Sequence, residues 1–328
     1  ILKMTTTIET PAPIHHVGEE KSNAIRQRLA AVEPHCIRTF TPSMAVLAKS
    51  AGSYHWTPEG RKLADFSSGV LVMNLGHNPT RWWQRVKDYL GLHNLKSASE
   101  FCEAVTLNAY NAVTEVEVLA TERLVKLMQS QAGGTRCEQV LWAASGSEAI
   151  QKALWAALDR RQGEDIILST RYGFHGKKGL AGSVTGSESD PERDNRVKFL
   201  SFPREECINL ARRKEPLDLK RYEAELEGLW NQYGSQICAL ITEPYLGGGG
   251  SFHPQKEYMQ LLERFCREHD ILLIFDEVQA NFGRTGELFA FTHYGIEPDI
   301  TVLGKGLGNG VAVSAAVGRA DLFANMHY

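Results

Sequence analysis

From Gln139 onward the chain alternates between short apolar runs and longer segments whose apolar positions recur every three or four residues. QVLWAA, DIILST, RVKFLSF, ICALIT, ILLIF and DITVL are the short runs, rich in β-branched and leucine side chains. They predict strands buried on both faces, because a strand with one wet face alternates apolar and polar positions. Between them, residues 147–162, DLKRYEAELEGLWNQY and KEYMQLLERFCREH carry helical periodicity. In the first of these Ala149, Ile150, Ala153, Leu154, Ala157 and Leu158 share one face. Regular alternation of strand and helix predicts an α/β fold, a mostly parallel sheet flanked by helices. Upstream the texture differs. Between Met44 and Phe66 it predicts short strands, with Pro58 and Gly60 turning a hairpin, and after Pro79 it is helical, TEVEVLATERLVKLM included. The polar stretch 182–195, GSVTGSESDPERDN, predicts a surface loop.

Composition narrows the classes. Hydrophobic residues are 43% of 328, charged residues 23%, and the net charge is -3. Such a balance offers no basic footprint, so neither nucleic acid nor a membrane surface is an expected partner. Apolar runs such as ICALI and ILLIF are too short to span a bilayer. Residues 1–20 are polar and proline-containing, with Met4 a candidate start. They predict a disordered tail rather than a secretory signal, which makes a cytoplasmic location the expectation. Six scattered cysteines without a C-x-x-C pair read as free thiols. Eleven histidines form no H-E-x-x-H, and no metal site is expected. Dinucleotide, Walker and G-x-S-x-G signatures are likewise absent.

In open α/β sheets ligands bind at the carboxyl ends of the strands, so the residues just after each run carry the functional signal. Ser145 and Glu148 have capping-box spacing, and Gly146 and Ser147 between them open a helix whose N–H groups suit a phosphate or simply a cap. Phe174, between Gly173 and Gly176, either lies on a planar ligand or packs, while His175 on its own reads more readily as structural. Glu243 closes a buried strand and either faces a site or caps a loop. Asp276 and Glu277 end another and point to opposite sides; the one facing inward needs a protonated ring nitrogen or an arginine such as Arg284. Lys305 lies among Gly304, Gly306, Gly308 and Gly310. A lysine desolvated at a strand end attacks carbonyls as a neutral amine, and flanking glycines let a bulky ligand approach. A phosphate cradle, an aromatic face, a buried acid and an imine-forming lysine are the four needs of pyridoxal 5'-phosphate.

The segment ILLIFDEVQANFGRTGELFAFTHYGIEPDITVLGKGLGNG resembles the class III (ω-) aminotransferases, fold-type-I pyridoxal-phosphate enzymes, and SGSEA, FHG, EP and DFSSGVLVMNLGHNP extend the likeness to residue 45. The resemblance implies a large cofactor-binding domain over 76–328 and a segment over 21–75 contributing to a small domain. Most of that small domain is expected to lie beyond Tyr328. It implies that Gly146 and Ser147 bind the phosphate, Phe174 and Val278 cover the two ring faces, and Asp276 pairs with the ring nitrogen. Gln279 would reach the phenolic oxygen, Glu243 would line the substrate side, His175 would belong to the cofactor shell, and Lys305 would form the imine. Lys305 and Asp276 are then the catalytic pair of a homodimeric transaminase that takes an amino donor, an amine or ω-amino acid, and a keto-acid acceptor. Racemase, decarboxylase and aminomutase chemistry on the same scaffold is the alternative, followed by a non-catalytic homologue or fragment. Two departures stand out. Gly248 replaces the family's glutamate in G-E-G-G, which removes the basis for a glutamate/2-oxoglutarate couple and opens the site to acceptors such as pyruvate. Asn281 replaces a usual glycine.

Overall fold

The computed structural model describes residues 14–33, 44–92, 100–106, 112–160, 163–191, 193–209, 211–212, 215–324 and 326. The chain divides into two compact units, one of residues 1–69 with 75–105, the other of 70–74 with 106–328. Most of the expected N-terminal tail lies outside the described residues.

The first unit holds helix α1 (Glu20–Ala30), strands β1 (Lys49–Ala51), β2 (Tyr54–Trp56) and β3 (Lys62–Ala64), and helix α2 (Thr80–Leu90). β1, β2 and β3 form an antiparallel meander, and Pro58 and Gly60 lie in the β2–β3 turn as the sequence predicts.

The second unit is a seven-stranded sheet in the order β4-β10-β9-β8-β7-β5-β6. Its strands are β4 (Gln139–Ala143), β5 (Ile166–Thr170), β6 (Val197–Leu200), β7 (Ile237–Thr242), β8 (Leu272–Asp276), β9 (Ile300–Leu303) and β10 (Ser314–Gly318). Helices α3 (Glu115–Gln129), α4 (Gly146–Asp159), α5 (Lys220–Tyr233) and α6 (Lys256–Glu268) accompany it. Helix α4 ends at Asp159, short of the 162 expected from periodicity. Neighbours from β6 to β9 are parallel, and β10 alone runs antiparallel, to β9 and to β4. The apolar runs alternate between two cores. Ile241, Ile274, Ile300, Val302 and Ala316 face α4, whose Ala149, Ala153 and Ala157 permit close approach to the sheet. Leu240, Leu273, Phe275, Leu303 and Val317 face the other way, against Tyr258, Leu262 and Phe265 of α6. Both sheet faces are therefore dry, and charged side chains of the central strands are confined to their ends. Among the described residues no helix is long and apolar enough to cross a membrane. The five described cysteines are free thiols; Cys36 lies outside the described residues.

Two features depart from the sequence reading. β10 is a full strand of the sheet, although VSAAVG carries no strong strand signal. The stretch 182–195 is not wholly surface: Ser183 and Val184 are buried, and the Val184 carbonyl accepts from Ser169 Oγ at 2.7 Å.

At the amino ends of β8 and β9 the fold is pinned by one acid. Asp299 is fully buried, and its Oδ1 accepts from Arg136 at 2.6 Å and Arg319 at 3.1 Å. Its Oδ2 accepts from Arg267 at 2.7 Å and from the Leu273 N–H at 2.9 Å. Burial alone would raise its pKa, but Arg267, the Leu273 N–H and Arg319 hold the carboxyl below the usual carboxylate range. Asp299→Asn is expected to cost about 3 kcal/mol at neutral pH in chemical denaturation, since it leaves three arginines around an uncharged group. The folded pKa lies below the unfolded value of about 3.9, so the stabilisation is full above that pH and fades as pH falls through the folded pKa. The difference between wild type and Asp299→Asn should accordingly shrink in acid.

Candidate active site

Registry brings the predicted residues to one end of the sheet. Thr242 pairs with Phe275 and Asp276 with Val302, so Glu243 emerges beside Asp276, and Lys305 follows two residues after β9 on the strand next to it. Helix α4, leaving β4, presents its N-terminus to the same end. There Ser145 Oγ accepts from Glu148 N–H at 3.2 Å, the cap the sequence predicts, while Glu148 Oε2 reaches past the cap to accept from Ala144 N–H at 3.0 Å. The Gly146 and Ser147 N–H groups have no acceptor among the described residues and point out of the first turn of a 14-residue helix.

Two loops close on that turn. A Cβ on Gly146 would lie 3.0 Å from Val278, and one on Gly176 would lie 2.7 Å from Ser147 Oγ. Glycine is required at both places for the loops after β5 and β8 to reach the helix. Gly176, at φ 146, also needs a backbone conformation that other residues rarely adopt. The loop 173–176 is held from below by Thr185, whose hydroxyl oxygen accepts from the N–H of His175 at 2.8 Å and of Gly176 at 3.1 Å. Sequence reasoning assigned Thr185 to a surface loop. Only the distance between β5 and residue 185 in space, invisible in the pattern, reveals its part.

Asp276 and Glu277 turn apart, as adjacent strand residues must. Asp276 is buried, and its Oδ2 lies 2.7 Å from His175 Nδ1 while Oδ1 accepts from Val278 N–H at 2.9 Å. Its partner is thus a histidine, and Arg284 instead donates to Asn74. Glu277, on the other side, accepts from the N–H groups of Ala290 at 2.7 Å and Phe291 at 2.8 Å, a structural staple. Burial pushes its carboxyl up to about 8 against those two donors. Glu243 accepts from Phe174 N–H at 2.9 Å and Gly247 N–H at 3.2 Å, tying the aromatic loop to the glycine run. Burial raises its pKa above the carboxylate range; Asp276 reinforces this and His175 opposes it.

Phe174 is 45% exposed, leaving a face of its ring open. Gln279 packs where a Cβ on Gly247 would come within 1.8 Å, and its Oε1, like His175 Nε2, is buried without a partner among the described residues. Lys305 sits in the left-handed region at φ 42, and its ammonium has no hydrogen-bond or ion-pair partner among the described residues. The glycines beside it serve a different end from the ligand access read from sequence. A Cβ on Gly304 would meet Ser314 Oγ at 2.9 Å, and one on Gly306 would meet Asn74 Nδ2 at 2.3 Å. Protein atoms, not open space, exclude side chains there. Asn281 takes part in the same packing: fully buried, it donates through Nδ2 to the carbonyls of Glu277 and, at 3.0 Å, of Gly304, fastening the turn after β8 to the residue before Lys305. A cavity of about 700 Å³ lined by Arg171, Tyr172, Arg204 and Arg221 opens beside β6, but none of these strand-end residues lines it. Chemistry, rather than volume, marks the site.

Comparison with known proteins gives a consistent picture. Residues 38–328 match the family described as aminotransferase class-III. A succinylornithine transaminase/acetylornithine aminotransferase of Pseudomonas aeruginosa is 28% identical over 300 residues, covering 89% of this chain and 64% of its own length. A leucine/methionine racemase of Thermococcus litoralis is 29% identical over 314 residues, covering 92% and 65%. The chain thus spans a little under two thirds of the length of these relatives. An amine transaminase from an uncultivated Pseudomonas species, solved in its PLP-bound form, superposes with a TM-score of 0.73 at 27% identity, over 90% of this chain and 65% of that one. An (S)-enantioselective omega-transaminase from Thermomicrobium roseum gives the same TM-score of 0.73 at 24% identity, over 92% and 64%, a likeness of fold.

Asn281→Ala removes the bonds that hold Gly304 in place and should lower the unfolding free energy by about 1–3 kcal/mol, measured by chemical denaturation. The reaction of Lys305 with a pyridoxal aldehyde, followed by absorbance, should weaken with it.

Proposed function

The chain belongs to the class-III aminotransferase family, and on that premise we propose that it carries the cofactor site of a pyridoxal-phosphate-dependent transaminase. Its sheet and flanking helices have the fold-type-I arrangement. The observation that carries the reading is a convergence at one sheet end: a buried acid paired with a buried imidazole, an open helix N-terminus, and an unpaired lysine on the adjoining strand.

The residues fit the cofactor. The free N–H groups of Gly146 and Ser147 suit a phosphate at the positive end of α4. Asp276 supplies a buried carboxylate for the ring nitrogen, and Phe174 and Val278 supply apolar surface for its two faces. Gln279, with a buried amide oxygen that lacks a partner among the described residues, is placed for the phenolic oxygen. When bound, pyridoxal phosphate supplies an electron sink that draws charge from the substrate carbon.

Each residue then has one task. Asp276 holds a proton at the ring nitrogen, and His175 Nδ1, at 2.7 Å from Oδ2, fixes the direction of that carboxylate. Lys305 would hold the cofactor through its carbonyl, and its amine would move the proton at the substrate carbon. Glu243 keeps Phe174 in place through its N–H and sets the substrate side of the ring. The donor is an amine or ω-amino acid and the acceptor a keto acid, in a cytoplasmic homodimer. Gly248 bears on the acceptor, because a Cβ there would lie 3.1 Å from Phe174 Cβ. A glutamate at 248 would press on the stacking residue, so a pocket without it favours an acceptor such as pyruvate over 2-oxoglutarate.

The racemase among the relatives supports a second reading, proton return to the opposite face of the same carbon. Stoichiometric consumption of keto acid with donor separates the two, since only transamination requires it. Borohydride reduction of the cofactor-loaded chain is expected to label Lys305 in peptide mapping; label on any other lysine overturns the assignment. Asp276→Asn should leave that label in place yet slow the half-reaction with donor about a hundredfold or more.

A further inference from the structure

The first unit carries a second polar cluster, which transamination leaves unused. His55 is in the middle of β2, Asp65 follows β3 directly, and His77 is clamped to the β1–β2 turn by reciprocal backbone hydrogen bonds with Gly52, 2.9 Å each way. The Asp65 N–H donates to the Ser53 carbonyl at 2.9 Å, so the backbone fixes all three residues independently of their side chains. Ten residues separate His55 from Asp65 and twelve separate Asp65 from His77, a spacing no short motif announces.

The side chains converge on one oxygen. His77 Nε2 is 2.7 Å and His55 Nε2 3.4 Å from Asp65 Oδ2, and the imidazoles meet edge to face with centroids 4.4 Å apart. One nitrogen of each imidazole and one carboxylate oxygen all lie within 4.8 Å of one another. The three side chains are 12%, 4% and 13% exposed, in a pocket that shields them without closing them off. Outer partners orient His55 and Asp65. Ser50 Oγ lies 2.6 Å from His55 Nδ1, which leaves Nε2 to face the aspartate. Ser67 donates to Oδ1 from its N–H at 2.8 Å and its hydroxyl at 2.7 Å, and Gly69 N–H donates to Oδ2 at 3.0 Å. Against the cost of burial, hydrogen bonds from His77, Ser67 and Gly69 hold the carboxyl below its ordinary range.

Two imidazoles and a carboxylate oxygen, with His55 and Asp65 steered by further hydrogen bonds, form a donor set that either shares protons or takes a cation. Tetrahedral zinc lies about 2.0–2.2 Å from nitrogen and oxygen donors, which sets the donors roughly 3.3 Å apart. The His55–Asp65 separation already has that value, and the His77–Asp65 contact opens by roughly half an ångström when a metal replaces its shared proton. Magnesium and calcium demand oxygen donors and are poorly served by two nitrogens. We propose that His55, Asp65 and His77 form a site for a divalent transition-metal ion, zinc foremost, with the fourth position open to water. The ion would cross-link the β2 strand, the end of β3 and the segment around His77. It is remote in role from the transamination chemistry and independent of that reading.

Cobalt(II), whose visible absorption reports tetrahedral nitrogen and oxygen ligation, tests this on the untagged full chain after treatment with a chelator. The expected result is one equivalent bound with a visible band, displaced by zinc, and lost in both His55→Gln and His77→Gln. His55→Gln is decisive for folding controls, because it leaves the Asp65–His77 hydrogen bond and the Gly52 clamp intact, and its far-ultraviolet circular dichroism should match wild type. No band with the wild-type chain, or an undiminished band in His55→Gln, overturns the proposal.

Discussion

A strand buried on both faces can carry a charge only where it ends, and that constraint organises this protein. β7, β8 and β9 carry no charge within their length before Asp276 closes β8, so Glu243, Asp276 and Lys305 appear where the strands are released from the two cores. Parallel direction then does the rest. Because the three strands point the same way and lie side by side, their released residues arrive at the same edge of the layer. An antiparallel arrangement of the same sequences would have scattered them to opposite edges.

The buried acids show how narrowly such positions are tolerated. Asp276 is met by an imidazole, Glu277 by two backbone N–H groups, and Asp299 by three arginines and one N–H. The three solutions have different consequences. The arginine-held carboxylate is locked as an anion, and the one met only by amides is driven toward its neutral form. Asp276 is met by an imidazole whose far nitrogen has no partner among the described residues.

Much of this was legible in the chain. The central strands were, because double burial writes itself as an unbroken apolar run, and the strand-end residues followed from where those runs stop. The cap that Ser145 gives Glu148 was legible because its spacing is local. β10 was not, because alanine and glycine in SAAVG are chosen for close approach between two neighbours rather than for strand propensity. Thr185 and Asn281 were hidden for another reason: each acts on a loop distant in sequence, and a lone threonine or asparagine gives no periodic signal. The glycines around Lys305 were visible as a pattern, but their cause was not, since the atoms that crowd them belong to residues 74, 278 and 314.

The place of β10 bears on how the polypeptide reaches this state. β4 sits at the margin of the layer and has β10 as its sole neighbour there, yet some 170 residues of chain lie between them. On a ribosome, β4 emerges among the first strands of its unit and finds its partner only when the last has been made. Until then Val140, Leu141 and Trp142 have an unpaired backbone, and the helix they launch has no fixed footing. The N-terminus of that helix therefore gains its footing only after Lys305 has been made.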